Sequence, residues 1–169
     1  MGVISLLFSP KDFDLQRYKS AFTLLELVFV IVVIGILAAV AVPKFMVTRT
    51  DAIIVKGKSN VSAIRNGIAL QKSRNMLKGI NPPYPASLDN APANTAHASL
   101  FSYGDGNISS ILQYPIYSKK NMDGHWWKES ANKYDYFVTQ DKNVSFDYNS
   151  STGSFDCDHS IQNCKNLTE

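Results

Sequence analysis

The chain predicts an α+β fold in which one long N-terminal helix packs on a small antiparallel β-meander. Three observations point there. Residues Phe22–Val42 form an apolar run that holds a single charge, Glu26. Beyond it, Ile54, Val61, Ile64 and Ile68 recur at spacings that gather on one face of a helix. The last third alternates apolar and polar residues with the period of two of a half-buried strand.

The apolar run, with Pro43 as segment 22–43, is long enough to cross a bilayer, which needs about 20 apolar residues. It is too long, and starts too far into the chain, for the hydrophobic region of a cleaved secretory signal, and it reads as a retained anchor. A carboxylate at the centre of such a helix costs about 2.5–3.5 kcal/mol on insertion scales, so Glu26 calls for a partner. A local explanation competes: near a helix start an acidic side chain reaches the interface and is favoured by the helix dipole. Gly35 and Pro43 weaken the helix, by about 1 and about 3 kcal/mol, and a kink at Pro43 is the simple consequence.

Residues 44–79 form the amphipathic half. No proline falls between Lys44 and Lys78, so the helix is expected from Phe22 to about Gly79, interrupted at Pro43, with a length of about 87 Å. Gly79 suits a C-cap, and Pro82 and Pro83 prevent continuation. Residues 80–112 are rich in Pro, Asn, Ser and Gly and read as a connecting loop, with Leu88 and Ala98–Phe101 as candidates for a short ordered piece. Residues 113–169 supply the sheet. Tyr134, Tyr136 and Val138 alternate with Asp135, Phe137 and Thr139, and Val144, Phe146 and Tyr148 alternate with Ser145 and Asp147. Gln140–Asn143 is the hairpin turn, Asn149–Gly153 a longer one, and Phe155 and Cys157 begin a third strand. Gln113–Tyr117 or Trp126–Lys128 supplies a fourth. The helix stripe covers the apolar face of the meander.

At 169 residues the chain supports one modest globular domain plus an anchor, and its net charge of +3 does not by itself indicate nucleic acid. Basic residues flank the apolar run on both sides, so charge does not settle its orientation. Cys157 and Cys164 are the only cysteines; an even pair in an extracytoplasmic domain reads as a disulfide, worth about 2–3 kcal/mol in the chain-entropy model. A metal reading would add Asp158 and His159 but lacks zinc-ligand spacing. Lys58, Arg65 and Lys72 recur at every seventh position as a basic stripe: contact with DNA phosphates is one reading, and a solvated or subunit-facing charge pattern is the plainer one. Trp126 and Trp127 are either an exposed recognition patch or packing. The Gly-Asp-Gly-Asn stretch around Asp105 resembles a calcium-loop fragment with one acid, far short of a ligand set. Three Asn-x-Ser triplets, at Asn107, Asn143 and Asn149, carry Asp two positions upstream and resemble the stricter bacterial N-glycosylation motif; the plainer reading is turn chemistry. His97, His125 and His159 are scattered, no catalytic motif is present, and neither an enzyme nor a cofactor is expected.

Lys19-Ser-Ala-Phe-Thr-Leu-Leu-Glu26, followed by the apolar run and Pro43, resembles the N-terminus of type IV pilin-like proteins, the class of pilins and of the pseudopilins of type II secretion and DNA-uptake machines. Ala21 stands where that family usually has Gly. The resemblance implies a leader over 1–21, cleavage between Ala21 and Phe22 by a prepilin peptidase, and methylation of the new Phe22 amine. It implies that Glu26 pairs with that amine on a neighbouring subunit, and that Gly35 and Pro43 bound a stretch that unwinds during assembly. It further implies a single-pass inner-membrane protein with a periplasmic C-terminal domain. Its partners would be membrane lipid, an inner-membrane assembly platform and like or unlike pilin-like subunits. The alternative is a monomeric membrane-anchored periplasmic binding module that contacts DNA through its basic helix face.

Overall fold

The computed structural model describes residues 22–103 and 109–169, with the side chains of 43–47 excepted. The expected leader 1–21, with Ala21, and the Asp105 and Asn107 positions lie outside the described residues. Two compact units divide at Val42 and Pro43.

Helix α1 spans Leu24–Leu77. The expected interruption at Pro43 is absent: the helical backbone is continuous there and at Gly35. A proline removes one ladder donor, and helix propagation on both sides offsets that loss. The helix stops as Gly79 and the prolines require. Gly79 has φ +70°. Its N–H donates to Met76 O at 3.0 Å, and the Ile80 N–H donates to Asn75 O at 2.9 Å. This is the Schellman pair of bonds, and it needs a left-handed residue at Gly79. Asn75 Nδ2 then ties the following turn down by donating to Pro83 O at 2.7 Å.

The sheet is a four-stranded antiparallel meander, β3 (Trp126–Ser130), β4 (Lys133–Thr139), β5 (Lys142–Asn149) and β6 (Ser154–Cys157), in that order. Of the two candidates for a fourth strand, the Trp126 segment is therefore the one used. Ile116–Tyr117 (β2) instead pairs with Ser99–Leu100 (β1), a two-stranded ribbon whose first strand falls inside the predicted loop region 80–112. A short helix α2, Gln162–Thr168, follows the last strand.

Within the C-terminal unit, Val61, Ile64 and Ile68 of α1 are buried against a sheet face built from Trp126, Tyr134, Tyr136, Phe146 and Phe155. The rings interlock: Phe146 stacks on Phe155 at 5.1 Å, and Phe101 meets Trp126 edge-on at 5.5 Å. Both indoles are buried. Strand β4 is covered on both faces rather than one. On its outer face Asp135 lies opposite Trp127 and accepts from Ser145 Oγ at 2.6 Å, and the central position of the strand shields what an edge strand would expose. Two glycines let α1 approach its neighbours. A Cβ at Gly57 would lie 2.5 Å from both Leu167 Cδ2 and Tyr136 Cε1, and one at Gly67 would lie 2.2 Å from Ile111 O.

Candidate functional site

The stretch Phe22–Val42 has the composition of an interior and the exposure of a surface. Leu24–Val42 is helical, and long and apolar enough to cross a membrane. Its start is fixed by Thr23, whose Oγ1 accepts from the Glu26 N–H at 3.2 Å and whose carbonyl accepts from Leu27 N–H at 3.1 Å. Thr23 thus caps the helix, and Thr23-x-x-Glu26 has the spacing of a capping box. The box is half made: the backbone N–H of Glu26 is bonded, whereas its carboxylate has no hydrogen bond or ion pair among the described residues. Phe22 is exposed beside it. Gly35 faces open space: a methyl group placed there would meet nothing within 4 Å. Among the described residues the segment offers an apolar surface and one carboxylate without a partner.

The three residues of the basic stripe do not share one free surface. Arg65 turns inward to its own domain, donating from Nε to Phe155 O at 3.0 Å and from a terminal nitrogen to Asp156 at 2.9 Å. Lys72 sits over the Tyr84 ring at 4.8 Å. Lys58 is exposed. A backbone-tracking nucleic-acid surface needs several unengaged cations in a row, and this geometry supplies few.

Cys157 and Cys164 are joined in a disulfide, with Cα atoms 5.8 Å apart. The bond clips α2 to β6, and Cys164 and Leu167 from α2 enter the core. Asp156, His159 and Cys164 place potential metal ligands within 4.8 Å of one another. The Cys164 sulfur is in the disulfide, however, and Asp156 already accepts from Arg65 and sits 3.1 Å from His159 Nε2. Asp156 forms a surface polar cluster with Arg65 and His159 instead, while the Cys164 sulfur is buried and committed to the disulfide.

Sequence patterns gave no hint of a buried ionic network at the centre of the domain. Asp89 and Lys128, both almost wholly buried, pair at 2.6 Å. The carboxylate also accepts from the Phe101 N–H at 2.8 Å, Tyr134 OH at 3.0 Å and the Ala91 N–H at 3.1 Å, while Lys128 Nζ donates to Ala91 O at 2.8 Å. A buried charge pair holds when its remaining lone pairs and protons are matched in this way. Burial, then the charge of Asp89, pushes the Tyr134 hydroxyl far above the usual phenol range. The network fastens the loop 80–98, which has no helix or strand, to the sheet.

Against known proteins, residues 16–42 match the prokaryotic N-terminal methylation motif family. The chain is 36% identical over 101 residues to type II secretion system core protein G of Aeromonas hydrophila, covering 59% of this chain and 69% of that protein. It is 37% identical over 60 residues to the protein of the same name from Pseudomonas aeruginosa, covering 36% of this chain and 42% of that one. No solved structure matches the chain.

Proposed function

The chain belongs to the family of type II secretion system core protein G, a type IV pilin-like structural subunit, and from that premise we propose that it polymerises into a membrane-anchored filament that moves cargo mechanically. The observation that carries this reading is the exposed apolar helix Leu24–Val42 with its one unpaired carboxylate, Glu26. In a filament the apolar flanks of many such helices bury one another, and the desolvated Glu26 meets a neighbour's Phe22 amine, freed by cleavage after Ala21 and methylated. In a low-dielectric interior that attraction is strong enough to set axial register. Gly35 and Pro43 then act as the compliant points of the packed helix. The proposed partners are a prepilin peptidase, like or unlike pilin-like subunits, an inner-membrane assembly platform and lipid, with the disulfide-clipped domain on the periplasmic side. The work assigned to the chain is structural, without a catalytic step.

The test is the N-terminal sequence and intact mass of protein from native membranes, followed by Glu26→Leu. A chain that begins at methylated Phe22, and a Glu26→Leu variant that inserts but no longer enters filaments, are the expected results. A chain retaining residues 1–21 would make it a static anchor and sink the filament reading.

A further inference from the structure

Five Asn-x-Ser/Thr triplets occur in the chain, at Asn60, Asn107, Asn143, Asn149 and Asn166, and the three at Asn107, Asn143 and Asn149 carry Asp two residues upstream. Among the described residues the structure separates the last two of these. At Asn143 the motif lies within β5, opposite Phe137, and its Ser145 hydroxyl is held by Asp135 at 2.6 Å. At Asn149 the motif straddles the end of β5 and the turn to β6, and Asp147, Asn149 and Ser151 are all exposed. Asp147 and Asn149 are two residues apart on a strand, so both lie on its solvent face while Tyr148 is buried between them.

The turn also orients the side-chain amide. Asn149 Oδ1 accepts from the Ser151 N–H at 2.9 Å and the Thr152 N–H at 3.4 Å. That Asx turn fixes the oxygen toward the backbone. The amide nitrogen is left with no hydrogen-bond partner among the described residues.

We propose that Asn149 is an acceptor for an N-linked glycan, transferred from a lipid-pyrophosphate-linked oligosaccharide by an oligosaccharyltransferase on the periplasmic side of the inner membrane. In the transfer, the Asn149 amide nitrogen attacks the anomeric carbon of the donor sugar. The bond from that carbon to the pyrophosphate oxygen breaks, the lipid pyrophosphate leaves with the electron pair, and the nitrogen loses one proton to solvent. Asp147 and the Ser151 hydroxyl are the recognition elements on either side of the acceptor, and a bulky polar group at this turn points away from the core.

The test starts from the full chain purified from native membranes and again from a bacterial host that makes such a transferase and its lipid-linked donor. Trypsin releases residues 143–165, one peptide that holds both candidate asparagines and both cysteines. Electron-transfer fragmentation should place a glycan on Asn149, with Cys157 and Cys164 oxidised in the same peptide. Asn149→Gln and Asp147→Ala should both lose it. Ser151→Ala should lose it too while keeping the backbone N–H on which Asn149 Oδ1 rests, so that loss is not an unfolding effect. An oxidised but unglycosylated peptide from both sources overturns the proposal and leaves the filament reading standing. A glycan confined to Asn143 overturns it equally. A reduced, unglycosylated peptide removes the periplasmic placement on which the proposal rests, and the proposal with it.

Discussion

Between Phe22 and Val42 every large apolar side chain is exposed, with Leu24 at 81% and Leu25 at 79%, whereas Val61, Ile64 and Ile68 are at 2% or below. Both stretches belong to one helix, and both are made of the same side chains. The second is completed by the sheet of its own unit; the first is uncovered among the described residues, and in the proposed filament lipid or other subunits would bury it. The glycines repeat the contrast. Gly35 faces empty space, while Gly57 and Gly67 are sites of close approach. One helix is thus a core element at one end and an exposed apolar surface at the other, which the proposed filament would use as an interface.

The contrast breaks most sharply at the buried network. Asp89→Ala leaves Lys128 charged and buried without its carboxylate, and unfolding should become easier by about 3–5 kcal/mol, read from the thermal midpoint of detergent-solubilised protein by near-ultraviolet dichroism. Insertion of the apolar half should be unaffected. Gly67→Ala drives a methyl group against Ile111 O and should cost about 1–3 kcal/mol in the same measurement.

Alkaline titration sharpens it further. Burial pushes the hydroxyls of Tyr136 and Tyr148 up to about 12, whereas unfolded tyrosines ionise near pH 10. Between those values the unfolded state binds fewer protons, so the contribution of these two tyrosines to stability is constant below about pH 10 and falls as pH rises from about 10 to about 12. The slope should approach about 1.4 kcal/mol per pH unit for each tyrosine, and Tyr136→Phe should remove its share. The smallest effect has the opposite sign. Gly35→Ala meets no neighbour within the chain and should strengthen the local helix by about 0.5–1 kcal/mol. Hydrogen exchange of the amides around residue 35 would report it, with the domain's unfolding midpoint unmoved.

The features legible in the sequence are those with short-range signatures. A lone charge in an apolar run exposes Glu26; a glycine followed by prolines marks the end of α1 at Gly79; period-two alternation marks β4 and β5; and two cysteines seven residues apart admit one pairing. What stayed hidden depends on partners far along the chain. Asp89 looks like a loop residue until Lys128 and Tyr134 reach it. Gly57 and Gly67 look like helix weaknesses until Leu167, Tyr136 and Ile111 fill the space beside them. Arg65 reads as part of a free basic stripe until β6 arrives with Asp156. Helix α2 is short and its only inward residues are Cys164 and Leu167, too few to show a period.

The contact of Leu167 with the Gly57 position has a meaning in time as well as in space. It joins the start of the C-terminal unit to a residue more than a hundred positions later, so it belongs to the class of contacts that form late and slowly. If the C-terminal unit lies on the periplasmic side as proposed, the helix groove at Gly57 crosses early and waits for the segment that seals it. On that placement the core stays open beside Gly57 until Leu167 has followed, and a subunit whose threading stalls before residue 167 would be an unsealed one.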